Sequence, residues 1–354
     1  MTNILLNPGP ANTTLSVKLA QVVEDICPRE KEFGAIMEEV SNGLVEFVQG
    51  GKNPKAVLFG GSGTLAVESA LSSIVGENDK LAIIINGAYG KRMEEIAHAH
   101  RLKFVRFESN FLQPLDFKAL EEFLSQEKPN FIAIIHSETT SGLLNDLSNL
   151  SKIAKKIGAK IIADCMSSYA CYEINLDEVD FIIASSNKNI QAMAGISFVI
   201  ANEDSILQAG HSKSLYLNLK AQYEYFKAHY QMRFTPPVQT LYALRQAIIE
   251  LRSEGLNARF ERYKANNALL HQGLESLGFE IYPKESFGVI ITAIALPTHI
   301  SFEALHTHCK AYGYTIYPGK IAGVNMFRIA NIGAITQNEI AGFLEVLKRF
   351  NKQD

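Results

Sequence analysis

Three groups of residues in the chain have the chemistry of a ligand-binding site. The glycine-rich segment 60–64, with the sequence GGSGT, stands between an apolar run and a stretch of helical periodicity. Such a turn offers free backbone N–H groups and hydroxyls to a phosphate at the start of a helix. Asp164 ends one apolar run, and Lys188 follows the next apolar run along the chain. Because ligands in open α/β sheets bind at the carboxyl ends of the strands, these groups are candidates for one site.

Each of the three groups also has an alternative interpretation. The segment 61–66 matches the dinucleotide-binding pattern G-x-G-x-x-A, but the next apolar run ends in Asn86 and Gly87 and not in the acidic residue which that pattern requires. No Gly-Lys-Ser/Thr follows, so the segment is not a Walker loop. The turn can also serve close packing alone, Asp164 can cap a helix, and Lys188 can be a solvated surface residue.

The combination of Asp164 and Lys188 favours a specific cofactor. The two residues end consecutive predicted strands, and a strand spacing of about 4.8 Å places such side chains about 5 to 10 Å apart, enough for a pyridine ring. Pyridoxal phosphate requires a lysine for its covalent attachment, a carboxylate that keeps its ring nitrogen protonated, and an anion site for its phosphate. The sequence therefore predicts pyridoxal phosphate as the cofactor.

The apolar pattern predicts the elements that position these groups. Short runs that are apolar throughout alternate with stretches of helical period such as 65–75 and 147–157, which indicates a mostly parallel sheet with helices on both faces. The predicted strands are 57–59, 81–85, 131–135, 160–163, 180–185 and 196–201. Only about ten residues separate the last two, fewer than a parallel crossover usually takes, so we expect the last strand to be antiparallel.

A smaller α+β domain is predicted after this α/β region. Helical stretches at 215–230 and 241–251 lead into a helix, strand, helix, strand and helix at 257–277, 287–295, 302–312, 326–330 and 337–349. We therefore expect a large domain over 15–250 and a small C-terminal domain over 251–354, joined by the N-terminal segment 1–14.

Composition limits the classes of partner. The chain has 354 residues, of which 47% are hydrophobic, and 34 basic against 37 acidic residues give a net charge of −3. No positive field attracts nucleic acid or an anionic membrane, so a small molecule is the expected partner. No apolar run reaches the roughly 20 residues of a membrane span, and the segment 1–10 lacks the features of a signal peptide, which predicts a cytoplasmic protein. Scattered cysteines and histidines without ligand spacing predict no bound metal.

Ten short motifs carry a resemblance to a known family. They are NPGP at 7–10, GSGT at 61–64, NGAYG at 86–90, HSETT at 136–140, DCMSS at 164–168, SNK at 186–188, GHS at 210–212, RFT at 233–235, YPGK at 317–320 and FRI at 327–329. In order and spacing they resemble the 2-aminoethylphosphonate:pyruvate transaminases, which belong to the class V group of fold-type I pyridoxal-phosphate enzymes. The resemblance runs nearly end to end and implies a homodimer with the active site at the subunit interface.

The resemblance implies a set of cofactor-binding residues. Lys188 matches the lysine that carries the cofactor, and Asp164 matches the partner of the ring nitrogen. The other matching positions are Ser62, Gly63 and Thr64 in the phosphate turn, Tyr89 near the ring face, Thr139 beside the ring hydroxyl, Asn187 next to the lysine, and Thr235, which reaches the phosphate of a neighbouring subunit. For Tyr89 and Thr139, packing and helix capping remain the alternative interpretation.

The substrate side is implied in the same way. Arg328 falls where the family holds the acidic group of the substrate, and a guanidinium binds two oxygens of a carboxylate or phosphonate at once. Arg29 departs from some members of the family and is either a substrate contact or part of a solvated helix start. The expected reaction converts 2-aminoethylphosphonate and pyruvate to phosphonoacetaldehyde and L-alanine, or the reverse. The alternatives are an alanine or serine:glyoxylate type aminotransferase and, from the glycine pattern, a NAD-dependent oxidoreductase.

Overall fold

The computed structural model describes residues 3–319, 321 and 323–351. Its strands, in chain order, are β1 (Ile4–Leu5), β2 (Pro54–Gly60), β3 (Leu81–Ile85), β4 (Phe104–Glu108), β5 (Phe131–Ile135), β6 (Ser137–Glu138), β7 (Leu143–Leu144), β8 (Lys160–Asp164), β9 (Phe181–Ser185), β10 (Ile196–Asn202), β11 (Ile281–Tyr282), β12 (Ile291–Ala295), β13 (Tyr314–Thr315), β14 (Tyr317–Pro318) and β15 (Met326–Ala330). Its helices are α1 (Leu15–Leu19), α2 (Lys31–Val45), α3 (Gly63–Ile74), α4 (Ala88–Ala99), α5 (Phe117–Glu127), α6 (Leu147–Ile157), α7 (Glu203–Gln208), α8 (Leu219–His229), α9 (Val238–Glu254), α10 (Leu256–Ser276), α11 (Phe302–Ala311) and α12 (Gln337–Phe350).

A seven-stranded sheet positions the candidate site. Its strand order is β2-β10-β9-β8-β5-β3-β4, and the neighbours from β9 to β4 pair in parallel. Strand β10 is antiparallel to both β9 and β2, as the short connection before it predicts. The carboxyl ends of the parallel strands therefore meet at one edge of the sheet.

Helices cover both faces of this sheet. One core group packs α1, α2, α5, α6 and α9 on one face, and the other packs α3, α4, α7 and α8 on the opposite face. Strands β3 and β9 are buried over their whole length, which explains why every residue is apolar except Ser185 at the end of β9. The predicted α/β architecture is confirmed.

Strand β4, at the edge of the sheet, was not among the strands predicted from the sequence. Its sequence, FVRFE, is only partly buried, with Arg106 and Glu108 reaching the solvent. An edge strand has one neighbour and partial cover, so it carries no continuous apolar run. A search for short runs that are apolar throughout finds the central strands but does not detect such a segment.

The C-terminal region is an antiparallel sheet with helices, as expected for an α+β unit. The strand order is β11-β12-β15-β14, and α10, α11 and α12 contribute to its core. The predicted strand 287–295 begins only at Ile291, because Val289 donates its backbone N–H to the Tyr172 hydroxyl at 2.6 Å and not to a strand. No helix in the described part of the chain is both long and apolar enough to cross a bilayer.

The N-terminal segment links the two regions. Strand β1 pairs in parallel with β13, and the Leu6 carbonyl accepts from the N–H of Ala330. A few residues further on, the N–H of Ala11 donates to the carbonyl of Asn187 at 2.9 Å. The segment thus runs from the small sheet to the turn that carries Lys188. The expected domain boundary at 250/251 falls inside α9, which ends at Glu254.

Arg259 on α10 holds the turn after Lys188 in place. Its side chain is fully buried, its Nη1 donates to the Asn189 carbonyl at 2.6 Å, and its Nη2 lies 2.7 Å from Glu254. A buried charge is tolerated only when it is paired and hydrogen-bonded, and Arg259 meets both conditions.

We predict that Arg259→Leu lowers the free energy of unfolding by about 3 kcal/mol, because it leaves a buried carbonyl and part of a carboxylate without their partner. Urea denaturation followed by circular dichroism measures the change. The control Arg106→Leu removes an exposed pair with Glu94 at 2.9 Å and should leave the midpoint near that of the wild type. Equal midpoints for the two variants would contradict the role of Arg259.

Candidate active site

A cavity opens at the carboxyl edge of the parallel strands. It holds about 680 Å³ of empty space and receives side chains from the ends of β5, β8 and β9 and from the first turns of α3 and α4. Its lining residues are Gly63, Thr64, Val67, Tyr89, Arg92, Ile135, Ser137, Thr139, Asp164, Met166, Ser167, Ser185, Asn187 and Lys188. Most of the residues named from the sequence therefore meet in one place.

The cavity contains both Asp164 and Lys188. Asp164 is the last residue of β8, Lys188 comes shortly after β9, and these two strands are direct neighbours. The Lys188 Nζ donates to the backbone carbonyl of Pro8 in the N-terminal segment. The structure thus places an amine and a carboxyl at one rim of the sheet, with the N-terminal segment against the amine.

Asp164 is a buried carboxyl with cations around it. Burial raises its pKa to about 6, while the Met166 N–H, the Lys188 amine and the Arg92 guanidinium oppose that rise. The Met166 N–H donates to Oδ1 at 2.9 Å. Burial of a carboxylate is costly without a cationic partner, so this position favours a positively charged group in the cavity.

The start of α3 is open to an anion. Ser62 is the N-cap residue, but its hydroxyl makes no capping hydrogen bond, so the first-turn N–H groups are not satisfied by it. A Cβ at Gly63 would lie 2.6 Å from the Met166 sulfur, so a larger residue there would have to displace the Met166 side chain. The turn therefore has the features of a phosphate site.

At the start of α4, by contrast, side chains of the protein already accept hydrogen bonds from the first backbone N–H groups. The N–H of Ala88 donates to the Thr140 hydroxyl at 3.2 Å, and the N–H of Tyr89 donates to Glu138 at 3.3 Å. Glu138 also accepts from the backbone and the hydroxyl of Thr140. Burial raises the pKa of Glu138 to about 7 in spite of these bonds. Its role in fixing Tyr89 and the 138–140 turn was not anticipated from the sequence.

Arg92 is a further cavity residue that sequence reasoning missed. Its guanidinium lies 5.0 Å from the centre of the Tyr89 ring, and its Nη1 donates to the Thr64 hydroxyl at 3.3 Å. Arg92 and Tyr89 are three residues apart on one helix, which puts them on the same face. That spacing after the NGAYG motif is the sequence signal that points to Arg92.

Ser137 presents an unused hydroxyl to the cavity. Its Oγ is buried and has no hydrogen-bond partner among the described residues. In strand β6, successive side chains point to opposite sides, so Ser137 faces the cavity while Glu138 faces α4. A buried polar group without a partner is costly, which favours a ligand at this place.

Arg328 lies next to the cavity on strand β15 of the small sheet. Only 1% of the residue is exposed, and the guanidinium donates from Nε to the Pro318 carbonyl and from Nη1 to the Thr139 carbonyl, both at 2.9 Å. Burial lowers its pKa, and the nearby Tyr89, Glu138 and Tyr317 act in the opposite direction. Two of its five N–H groups are thereby fixed, which orients the remaining donors.

Besides Arg328, three of the named residues do not line the cavity. Ser62 is exposed at the α3 cap, and Thr235 is exposed in the loop before α9. Arg29 is exposed and donates to the Met232 carbonyl at 2.6 Å, so it ties the start of α2 to a surface loop. Lys320 of the YPGK motif lies outside the described residues. No cluster in the described part of the chain has the composition of a metal site.

The donor set fits pyridoxal phosphate. An amine, a carboxyl that favours a cation, an uncapped helix start and an unpartnered hydroxyl meet in one cavity. The first three are the groups that the aldehyde, the ring nitrogen and the phosphate of this cofactor require. The residue after β3, where a dinucleotide fold carries an acidic residue for ribose, is Asn86, whose amide donates to Asn145.

We predict that Gly9→Ala weakens binding of pyridoxal phosphate about tenfold or more, since the change combines backbone strain with displacement of the amine. Gly9 has φ of +138°, and a Cβ would lie 2.8 Å from the Lys188 Nζ. Absorbance titration of the cofactor-free protein measures the affinity. The matched control Gly158→Ala also has positive φ, at +72°, but meets nothing within 4 Å. Unchanged affinity in Gly9→Ala would contradict the contact.

Comparison with known proteins agrees with this geometry. The family model described as aminotransferase class-V matches residues 12–328. The chain is 36% identical over 346 residues to 2-aminoethylphosphonate–pyruvate transaminase of Bacillus mycoides, covering 95% of this chain and 94% of that protein. It is 35% identical over 357 residues to the bifunctional phosphonoacetaldehyde hydrolase/aminoethylphosphonate transaminase of Clostridioides difficile, where it covers 98% of this chain but spans only 56% of the relative.

Solved structures show the same fold. Ureidoglycine–glyoxylate aminotransferase of Bacillus subtilis superposes with a TM-score of 0.90 at 24% identity, covering 99% of this chain and 94% of that one. Alanine–glyoxylate aminotransferase of Nostoc sp. superposes with a TM-score of 0.92 at 22% identity, covering 99% and 95%. On the strength of the family match and of relatives that are similar over nearly its whole length, this chain belongs to the class V aminotransferase family.

Proposed function

We propose that the protein is a pyridoxal-phosphate-dependent transaminase that interconverts 2-aminoethylphosphonate and pyruvate with phosphonoacetaldehyde and L-alanine. The observation that carries the proposal is the meeting of Lys188 and Asp164 in one cavity, with the buried guanidinium of Arg328 bonded to the cavity residue Thr139. The name of the Bacillus mycoides relative supports the choice of substrates. The amino group leaves the donor as the donor becomes an aldehyde, and it ends on the carbon that was the keto carbon of pyruvate.

The proposed cofactor contacts are those that the resemblance implies, and most of these residues line the cavity. Lys188 would carry the cofactor and Asp164 would contact its ring nitrogen. The turn of Ser62, Gly63 and Thr64 would bind its phosphate. We further propose that Tyr89 contacts the ring face and Thr139 the ring hydroxyl. Asn187, next to the lysine, is proposed as another cofactor contact. Thr235, exposed in its own subunit, reaches the phosphate of a neighbouring subunit. When bound, pyridoxal phosphate supplies an electron-withdrawing ring that makes the substrate C–H bond beside the nitrogen acidic.

The chain's own residues move the proton and hold the substrate. Once released, the Lys188 Nζ acts as a general base and removes the proton from the substrate carbon that bears the nitrogen. Asp164 keeps its negative oxygen against the ring nitrogen, a charge-assisted contact. Arg328 binds two oxygens of the phosphonate in one half-reaction and of the carboxylate in the other. Arg29 is exposed and donates to the Met232 carbonyl, and a direct contact with the substrate stays a prediction.

A cytoplasmic homodimer with the active site at the subunit interface is also proposed. Large apolar side chains are exposed at Leu15, Leu19 and Val22 near the N-terminus and at Leu215, a pattern that favours a protein interface. The four cysteines are free, as expected in a reducing compartment. Light scattering of the purified protein measures the mass of the assembly.

A donor competition tests the proposed reaction. The purified protein is supplied with pyruvate and equal concentrations of 2-aminoethylphosphonate, β-alanine and serine, and the loss of each donor is measured together with the alanine formed. We expect 2-aminoethylphosphonate to be consumed first and the absorbance of the cofactor to shift when this donor is added without pyruvate. In a parallel assay with alanine and glyoxylate, faster turnover than with 2-aminoethylphosphonate and pyruvate would instead assign the protein to the glyoxylate-dependent aminotransferases.

We predict that Asp164→Asn lowers kcat about ten- to a hundredfold, because an amide cannot replace the charge in a contact of about 1.5 to 3 kcal/mol. Steady-state assays with saturating cofactor, 2-aminoethylphosphonate and pyruvate measure the change. The matched control is Asp180→Asn, since Asp180 accepts from the N–H of Ile161 at the opposite edge of the sheet. A similar loss of kcat in both variants would mean that Asp164 acts through the fold and not on the cofactor.

A further inference from the structure

Tyr317 lies directly opposite Arg328 in the small sheet. Strands β14 and β15 are antiparallel, and their register pairs Tyr317 with Arg328. Side chains at paired positions of antiparallel strands project from the same face, with Cβ atoms about 5 Å apart. Arg328 reaches the Thr139 carbonyl beside the cavity, so the face that carries Tyr317 is the face toward the candidate active site.

The two paired side chains differ in solvent exposure. Arg328 is 1% exposed, whereas Tyr317 is 37% exposed and so keeps contact with the solvent. The Arg328 Nε also donates to the carbonyl of Pro318, the residue after Tyr317, which ties that strand to the guanidinium. Tyr317 is therefore held beside the cation.

The shapes of the two anionic substrate groups indicate a role for the Tyr317 hydroxyl beside Arg328. A carboxylate is planar, and its two oxygens are both satisfied by the parallel N–H groups of one guanidinium. A phosphonate is tetrahedral and has three oxygens, so one of them remains without a partner when a guanidinium binds the other two. A phenol hydroxyl is a donor that can reach this third oxygen without adding a charge.

We propose that the Tyr317 hydroxyl donates a hydrogen bond to the third oxygen of a phosphonate held by Arg328 and makes the site select phosphonate over carboxylate. The inference rests on the proposed function, because it assigns a specificity-determining residue to the same anion site. It also accounts for the use of one arginine for both half-reactions: the carboxylate of pyruvate needs only the guanidinium, whereas the phosphonate of the donor uses the phenol as well.

Inhibition by two unreactive analogues tests the role of Tyr317. Ethylphosphonate and propionate carry the two anionic groups on the same two-carbon chain and lack the amine, so they bind without turnover. Their inhibition constants are measured against the transaminase reaction in the wild type and in Tyr317→Phe. We expect the preference for ethylphosphonate to fall about tenfold in the variant, while the constant for propionate changes less than about threefold, the size of effect for one hydrogen bond to a charged group.

Three further variants sharpen the comparison. Tyr312→Phe is the matched control, because Tyr312 is 43% exposed in the same domain and packs on Arg349, at 5.6 Å from the ring centre, away from Arg328. It should leave both constants unchanged. Arg328→Lys should weaken both analogues, since both use the guanidinium. Tyr89→Phe tests the other phenol, and loss of the preference there with none in Tyr317→Phe would overturn the proposal.

The remaining outcomes distinguish failure of the Tyr317 inference from failure of the proposed function. An unchanged preference in Tyr317→Phe, or an equal weakening of both analogues, would overturn the inference while leaving the transaminase reaction intact. A wild type that transaminates another donor and shows no activity with 2-aminoethylphosphonate would overturn the proposed function alone, provided that the preference still falls in Tyr317→Phe. Thermal unfolding of Tyr317→Phe at the wild-type midpoint shows that the half-exposed substitution leaves the fold unchanged.

Discussion

The candidate active site depends on the parallel pairing of β8 with β9. This pairing places Asp164, the last residue of one strand, and Lys188, just beyond the other, at the same rim of the sheet. A buried carboxyl and an amine held in this way each make the charged form of the other less costly. A shift in register by one residue would turn Asp164 to the opposite face of the sheet and would separate the two groups.

The rest of the cavity is assembled from parts that are far apart in the chain. The N-terminal segment contributes the Pro8 carbonyl to Lys188, and the small sheet contributes Arg328, which bonds to Thr139 of the large sheet region. Arg259 on α10 holds the turn that follows Lys188. The geometry of the amine thus depends on both regions and on the segment that joins them, so movement between them would alter the site.

Regular patterns made much of the fold predictable. The central strands are apolar except at their end positions because helices cover both faces, and the short connection before β10 favoured an antiparallel strand. The edge strand β4 escaped prediction because partial exposure removes its apolar run. Among the site residues, Arg92 and Glu138 were not predicted, because the role of each depends on a hydrogen bond to a residue that is remote in sequence. Arg92 donates to Thr64, and Glu138 accepts from Tyr89.

The sequence by itself determined the α/β architecture, the glycine turn at the start of α3, and the positions of Asp164 and Lys188 at strand ends, because periodicity and turn chemistry are local properties of the chain. Only the tertiary structure decided which loops meet at the rim, that the N-terminal segment lies against the lysine, and that Tyr317 stands beside Arg328. The contact between Pro8 and Lys188 spans 180 positions, and the pairing of Tyr317 with Arg328 depends on the register of two strands. Sheet register and domain packing decide both contacts, and no local pattern encodes them.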